Sequence, residues 1–185
     1  RSDPDATAET KALYANLWAI QQRGFMFGHH DDLSYGRHWQ GVKGKSDTKD
    51  VCGDYPAVYS LDFASMMDDR FNPQSDWVAQ SKQNILAARR RGEVITACCH
   101  LNNPLTGGDS WDNSSRAVVA GILKNGSNTQ AKFNTWLDRL ISFVKDLKDD
   151  NGHPIPIIFR PFHEHTQSWN WWGRGCATES EVVNL

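Results

Sequence analysis

Four short apolar runs, each closing on a polar or ionisable group, constrain the fold of this chain more than any other feature. The runs are Phe25–Phe27, Pro56–Leu61, Val94–Cys99 and Ile155–Arg160. They lead into Gly28-His29-His30-Asp31-Asp32, Asp62-Phe63, His100-Leu101-Asn102-Asn103-Pro104 and, after Pro161-Phe162, His163-Glu164-His165. Runs that are apolar on both faces suit strands covered on both sides, the condition of a parallel sheet. Between them the spacing predicts helices. One spans residues 7–23, with Leu13, Leu17 and Ile20 on one face and Gly24 as its stop. A second spans 76–91 before Gly92, and a third spans 131–148 with Phe133, Leu137, Leu140, Ile141 and Val144 on its face. Another helix begins at Ala177, and residues 33–52 read as a long polar loop.

Strands alternating with helices argue for an α/β fold with helical crossovers. Polar groups at the C-terminal ends of successive strands are where a (β/α)8 barrel assembles its active site. A doubly wound open sheet binds ligands at the same edge, but no Gly-rich phosphate fingerprint follows the first strand. The expected fold is therefore a (β/α)8 barrel, of which the chain supplies the first four βα units. A whole barrel takes about 250 residues, so residues 1–185 read as one domain supplying half the strands of such a barrel.

Charge narrows the partner. With 20 Lys and Arg against 22 Asp and Glu, the chain lacks the basic footprint of a nucleic-acid binder. No apolar run approaches the ~18 residues of a membrane span. The four cysteines, Cys52, Cys98, Cys99 and Cys176, lack zinc or redox spacing and read as buried free thiols, with one disulfide as the alternative. A neutral partner fits, and the 8 tryptophans suggest its kind. Three of them, Trp169, Trp171 and Trp172, follow His163-Glu164-His165 within a few residues, and indoles stack on the C–H faces of sugar rings.

Hydrolysis of a glycosidic bond needs two carboxyl groups, one protonating the leaving oxygen and one attacking or activating water. The acid must hold its proton near neutral pH, which takes apolar walls or a nearby negative charge. Glu164 is the candidate acid, with Phe162 and Trp169 as candidate walls. Strand alternation carried past Arg160 puts Arg160, Phe162 and Glu164 on one side, with His163 bracing from beside them. A metal hydrolase is the rival chemistry. His29, His30, Asp31, Asp32, His100, His163, Glu164 and His165 have the residue types, but none matches a specific spacing such as His-Glu-x-x-His.

Arg160-Pro-Phe-His-Glu164 followed by Trp169-Asn-Trp-Trp-Gly173 resembles the acid/base segment of glycoside hydrolase family 26, the β-mannanases and their relatives. Gly28-His29-His30-Asp31-Asp32 and His100-Leu-Asn-Asn-Pro104 resemble two further segments of that family, in the same order. The resemblance implies a (β/α)8 barrel and retaining hydrolysis of β-1,4-mannosidic bonds in mannan, galactomannan or glucomannan. It implies Glu164 as general acid/base, His163 and His100 as residues lining the subsite at the cleavage point, and Trp169 as an aromatic wall. Arg160 resembles an arginine supporting the catalytic carboxylates, and Trp111 a subsite tryptophan on a variable loop. His165 stands where a Met often follows the acid/base.

The family's nucleophile is a glutamate ending strand seven, outside the four strands present here, so turnover by this span alone is not expected. The resemblance implies no cofactor and no metal. The expected partner is a β-mannan polysaccharide or oligosaccharide, and a polymeric substrate implies a secreted, periplasmic or cell-surface protein. Relatives in the family act on β-glucan or β-1,3-xylan. A carbohydrate-binding protein without catalysis is the alternative from another class.

Overall fold

A computed structural model describes residues 3–185. The helices are α1 (Ala8–Ile20), α2 (Asp47–Cys52), α3 (Asp76–Arg90), α4 (Val118–Leu123), α5 (Asn128–Lys145) and α6 (Glu179–Asn184). The strands are β1 (Gly28–His30), β2 (Tyr35–Gly36), β3 (Trp39–Gln40), β4 (Val58–Asp62), β5 (Val94–Cys98) and β6 (Ile157–Arg160). A parallel four-stranded sheet runs in the order β1-β4-β5-β6, and β2 and β3 form a separate antiparallel hairpin. Helices connect the strands of the larger sheet, so the α/β crossover pattern expected from the sequence is present.

The chain divides into two compact units. The first comprises the chain through Leu61, Gln74–Ala97 and Lys145–Phe159. Its α3 is defined at both ends. The Ser75 hydroxyl accepts from the Val78 amide, Arg89 and Arg90 occupy the last turn, and Gly92 takes a left-handed φ of 86°. Ser81, Asn84, Ile85 and Ala88 are its buried residues, a stripe at three- and four-residue intervals.

Two expectations in this unit are corrected. The first strand lies at Gly28–His30 rather than Phe25–Phe27, pairing Gly28 with Val58, His29 with Tyr59 and His30 with Ser60. Phe25 and Phe27 are exposed. An apolar triplet marks a strand by hydropathy alone, whereas at a sheet edge the ladder sets the register. Residues 33–52 are no plain loop either, because they carry the β2–β3 hairpin and α2. Asp47 organises them by accepting from the Arg37 amide at 2.7 Å and the Trp39 indole at 2.6 Å. Elements this short show no periodicity in sequence.

The second unit comprises Asp62–Pro73, Cys98–Val144 and Arg160–Leu185. Its spine is α5, whose buried Thr129, Phe133, Trp136, Leu140 and Phe143 alternate steps of four and three residues. Phe143 meets Phe63 edge-on, and the Trp136 indole donates to Asp69 at 3.0 Å. The sequence missed α4, a six-residue apolar turn without a side-chain cap. The helix expected from Ala177 is α6, started by a reciprocal pair: Thr178 accepts from the Glu181 amide while the Glu181 carboxylate accepts from the Thr178 amide. Among the described residues all four cysteines are free thiols. Cys98, Cys99 and Cys176 are buried, but Cys52 is exposed because α2 turns it outward. No helix among these residues is long and apolar enough to cross a membrane.

Candidate active site

Three strands of the sheet end in side chains that meet within the second unit. At the end of β4 the Asp62 carboxylate accepts from the Ala64 amide at 2.8 Å and the His100 amide at 3.1 Å. Its shortest contact, 2.6 Å, is to His100 Nδ1, just beyond β5. Across from it, His100 Nε2 lies 3.1 Å from His163 Nε2, and the two rings stand edge to face. Two facing imidazole nitrogens attract only if one carries the hydrogen, so a single proton is shared across this pair.

The electrostatics follow from those contacts. Burial pushes the Asp62 carboxyl up, but hydrogen bonds from His100 and the Ala64 amide outweigh it, and the group lies below the usual carboxylate range. The bond to Asp62 holds His100 above the ordinary imidazole value despite partial burial. Burial, followed by the neighbouring His100, lowers His163. His100 is thus the donor and His163 the acceptor when the pair holds its extra proton. Asp62 anchors the group, and sequence reading noted it only as a strand end. A strand-ending Asp opposite a strand-ending His is the signal that could have found it.

A second carboxylate fixes the backbone behind His100. Asp68, fully buried, accepts from Arg70 and from the Asn102 amide, while Arg70 also donates to the His100 carbonyl at 2.9 Å. The loop carrying Trp111 is braced by buried Asn103, which accepts from the Leu105 and Thr106 amides and donates to the Asp112 carbonyl. From that loop Asn113 donates to the Ser168 carbonyl at 2.9 Å. Trp111 is exposed beside the tie.

Beyond β6 the chain departs from the expected alternation. The strand ends at Arg160, residues 161–172 are turn and bend, and Glu164 sits at a left-handed φ of 58°. That conformation is costly for a residue with a Cβ and redirects the chain, so strand parity does not extend to Glu164. Arg160 is exposed at the end of β6. Phe162 is no wall for Glu164, because its ring packs with Phe133, Trp171 and Trp172.

The three indoles divide their work. Trp171 and Trp172 are fully buried, edge to face, and donate to the Leu101 and His163 carbonyls. They are core rather than cleft, and they hold the backbone of the two histidine segments. Trp169 is exposed, and its Nε1–H donates to Glu164 Oε2 at 3.0 Å. An indole N–H only donates, so Oε2 is held as an acceptor. Gly173 closes the loop where a Cβ would run into the Gln167 carbonyl oxygen.

Of the histidines in the rival metal reading, His29 and His30 are tied in the first unit. Asp32 accepts from both His29 and Thr48 at 2.7 Å, and His30 bonds to the Ser60 hydroxyl at 2.9 Å. His165 is exposed and reaches the Phe162 carbonyl through Nδ1.

A carboxylate held by an indole donor in the turn beyond β6, and a histidine pair just past β5 and β6, thus stand on an α/β frame. The family model described as glycosyl hydrolase family 26 matches residues 2–184, and the chain belongs to that family. It is 34% identical, over its whole length, to a mannan endo-1,4-beta-mannosidase of Bifidobacterium adolescentis, of which it covers 18%. A GH26 beta-mannanase structure from Bacteroides ovatus superposes with a TM-score of 0.89 at 40% identity, over 97% of this chain and 52% of that one. An endo-beta-1,4-mannanase structure from Cellulomonas fimi gives 0.85 at 32% identity, over 97% and 41%. The chain therefore spans about half or less of the length of these relatives. Their fold is the (β/α)8 barrel, and the parallel sheet with its helical crossovers is part of one.

Proposed function

We propose that this chain carries the acid/base half of a retaining endo-β-1,4-mannanase, with Glu164 as the general acid and base. The observation that carries the reading is the Glu164–Trp169 contact, set beside the histidine pair at the ends of β5 and β6. Glu164 gives its proton to the glycosidic oxygen as the bond from that oxygen to the anomeric carbon breaks. In the second step the resulting carboxylate takes a proton from the water that releases the glycosyl group. His100 and His163 hold sugar hydroxyls in the cleaved subsite, and exposed Trp169 and Trp111 supply stacking faces.

The nucleophile is a carboxylate from outside this chain, about 5–5.5 Å from Glu164 in the whole enzyme. Asp62 does not fill that role, because its two oxygens already accept from the Ala64 amide, the His100 amide and the His100 ring. A substrate too large to enter a cell places the enzyme outside the cytoplasm. By the same reading these 185 residues alone do not turn over mannan.

The test is Glu164→Gln in the natural full-length protein, assayed on mannan, galactomannan and mixed-linkage β-glucan. Loss of about 10³-fold or more in kcat, with oligosaccharide binding retained, is expected for removal of an essential proton donor. Near wild-type turnover refutes the assignment.

A further inference from the structure

The facing nitrogens of His100 and His163 invite a cation other than a proton. Their Nε2 atoms are 3.1 Å apart. Two imidazoles on one tetrahedral zinc, each at about 2.0–2.1 Å, stand about 3.3–3.4 Å apart. The Cys98 sulfur completes a trio, since it and one nitrogen from each ring all lie within 4.8 Å of one another. Asp62 supplies what such a site needs outside its ligands. By accepting from His100 Nδ1 at 2.6 Å it fixes the tautomer that leaves Nε2 free to bind, the carboxylate–histidine–metal relation of protein zinc sites. The same carboxylate lies 3.8 Å from the Cys98 sulfur. Cys98 is buried, but the His100 side chain is 41% exposed, so an ion can enter from the histidine side.

We propose that Cys98, His100 and His163 form a binding site for a soft divalent cation, zinc or cadmium, whose occupancy excludes sugar from the subsite beside Glu164. Coordination displaces the proton shared by the two rings to His163 Nδ1, which has no other partner, and releases the thiol proton of Cys98 to solvent, so the ligands become two neutral imidazoles and one thiolate. Three protein ligands leave a fourth position for water, as in an open zinc site. Both histidines then lose the nitrogens with which they hold a sugar hydroxyl. Cation and sugar binding must oppose each other to the same extent, by linkage. Only this exclusion rests on the mannanase reading; the cation site itself does not.

Cadmium titration of the natural full-length protein, followed by ultraviolet absorbance, tests the site. One equivalent should raise a cadmium–thiolate charge-transfer band. Cys98→Ser should abolish it, and Cys52→Ser, at an exposed thiol, should leave it intact. Asp62→Asn should keep the band but weaken binding about 10–100-fold, the usual effect of losing a histidine's carboxylate partner. Absence of the band in the wild type, or its survival in Cys98→Ser, overturns the site. Should Cys98→Ser misfold, proton NMR of the wild type decides instead: equimolar zinc must shift the His100 and His163 ring signals first, and movement of the other histidines alone overturns it. Mannan oligosaccharide should displace the ion. If the ion binds and is not displaced, the site stands and the exclusion is refuted.

Discussion

Asp62→Asn tests the charge logic of the site most directly. The substitution keeps the shape but removes the negative charge and places an NH2 against one of the N–H groups the carboxylate accepted. A hydrogen bond to a charged group contributes about 1.5–3 kcal/mol when buried. The His100 side chain is 41% exposed, so screening reduces its bond to about 0.5–1 kcal/mol. One backbone bond, from Ala64 or His100, is lost as well, adding about 0.5–1 kcal/mol. The expected loss is about 1–2 kcal/mol at mildly acidic pH.

The sign of the pH dependence is fixed by the two shifts. Asp62 is lowered, so its contribution is present above the unfolded value near 3.9 and fades as pH falls through the folded one. His100 is raised, so its contribution is complete below about 6.5 and fades as pH rises through the folded value. The wild-type advantage over Asp62→Asn should therefore plateau between about pH 4 and 6.5 and decline on both sides. His163, lowered by burial, acts in the opposite sense to His100, losing stability as pH falls below about 6.5. Urea unfolding of both proteins across pH, with NMR titration of the His100 ring, measures all of this. A difference that grows toward alkaline pH, or an unchanged His100 titration, refutes the reasoning.

Four other substitutions separate the parts of the two tryptophan-bearing loops. If the proposed mannanase role holds, Trp169→Phe keeps the ring but removes the N–H that fixes Glu164 Oε2, so kcat for mannan should fall about tenfold with KM less affected; steady-state kinetics of the full-length protein reads this, and an equal rise in KM alone contradicts it. Trp171→Ala empties a fully buried site and strands the Leu101 carbonyl, costing about 3–5 kcal/mol in urea unfolding, whereas Trp111→Ala at an exposed position should change stability by no more than about 0.5 kcal/mol. Gly173→Ala drives a Cβ into the Gln167 carbonyl oxygen and should destabilise the chain by about 1–3 kcal/mol, seen as a lowered thermal midpoint.

The sequence by itself determined the fold class and set the candidate site residues at or just beyond strand ends. Apolar runs, helical stripes such as Phe133 to Leu140, and the order of strand-ending groups are local properties, and local periodicity is what a buried sheet with crossover helices requires. It could not decide the first strand, because Phe25–Phe27 looks more like a strand than Gly28–His30 until the pairing with Val58–Ser60 is known. Nor could it sort three tryptophans of identical chemistry. Contacts distant in sequence bury Trp171 and Trp172 against the Leu101 and His163 backbone and leave Trp169 to hold Glu164. The left-handed turn at Glu164 lies beyond sequence reading for the same reason: strand parity predicts direction only while the strand lasts, and this one stops at Arg160. What tertiary structure alone decided was the meeting of Asp62, His100 and His163. Those residues are separated by 38 and 63 positions, and only the sheet brings their strand ends together.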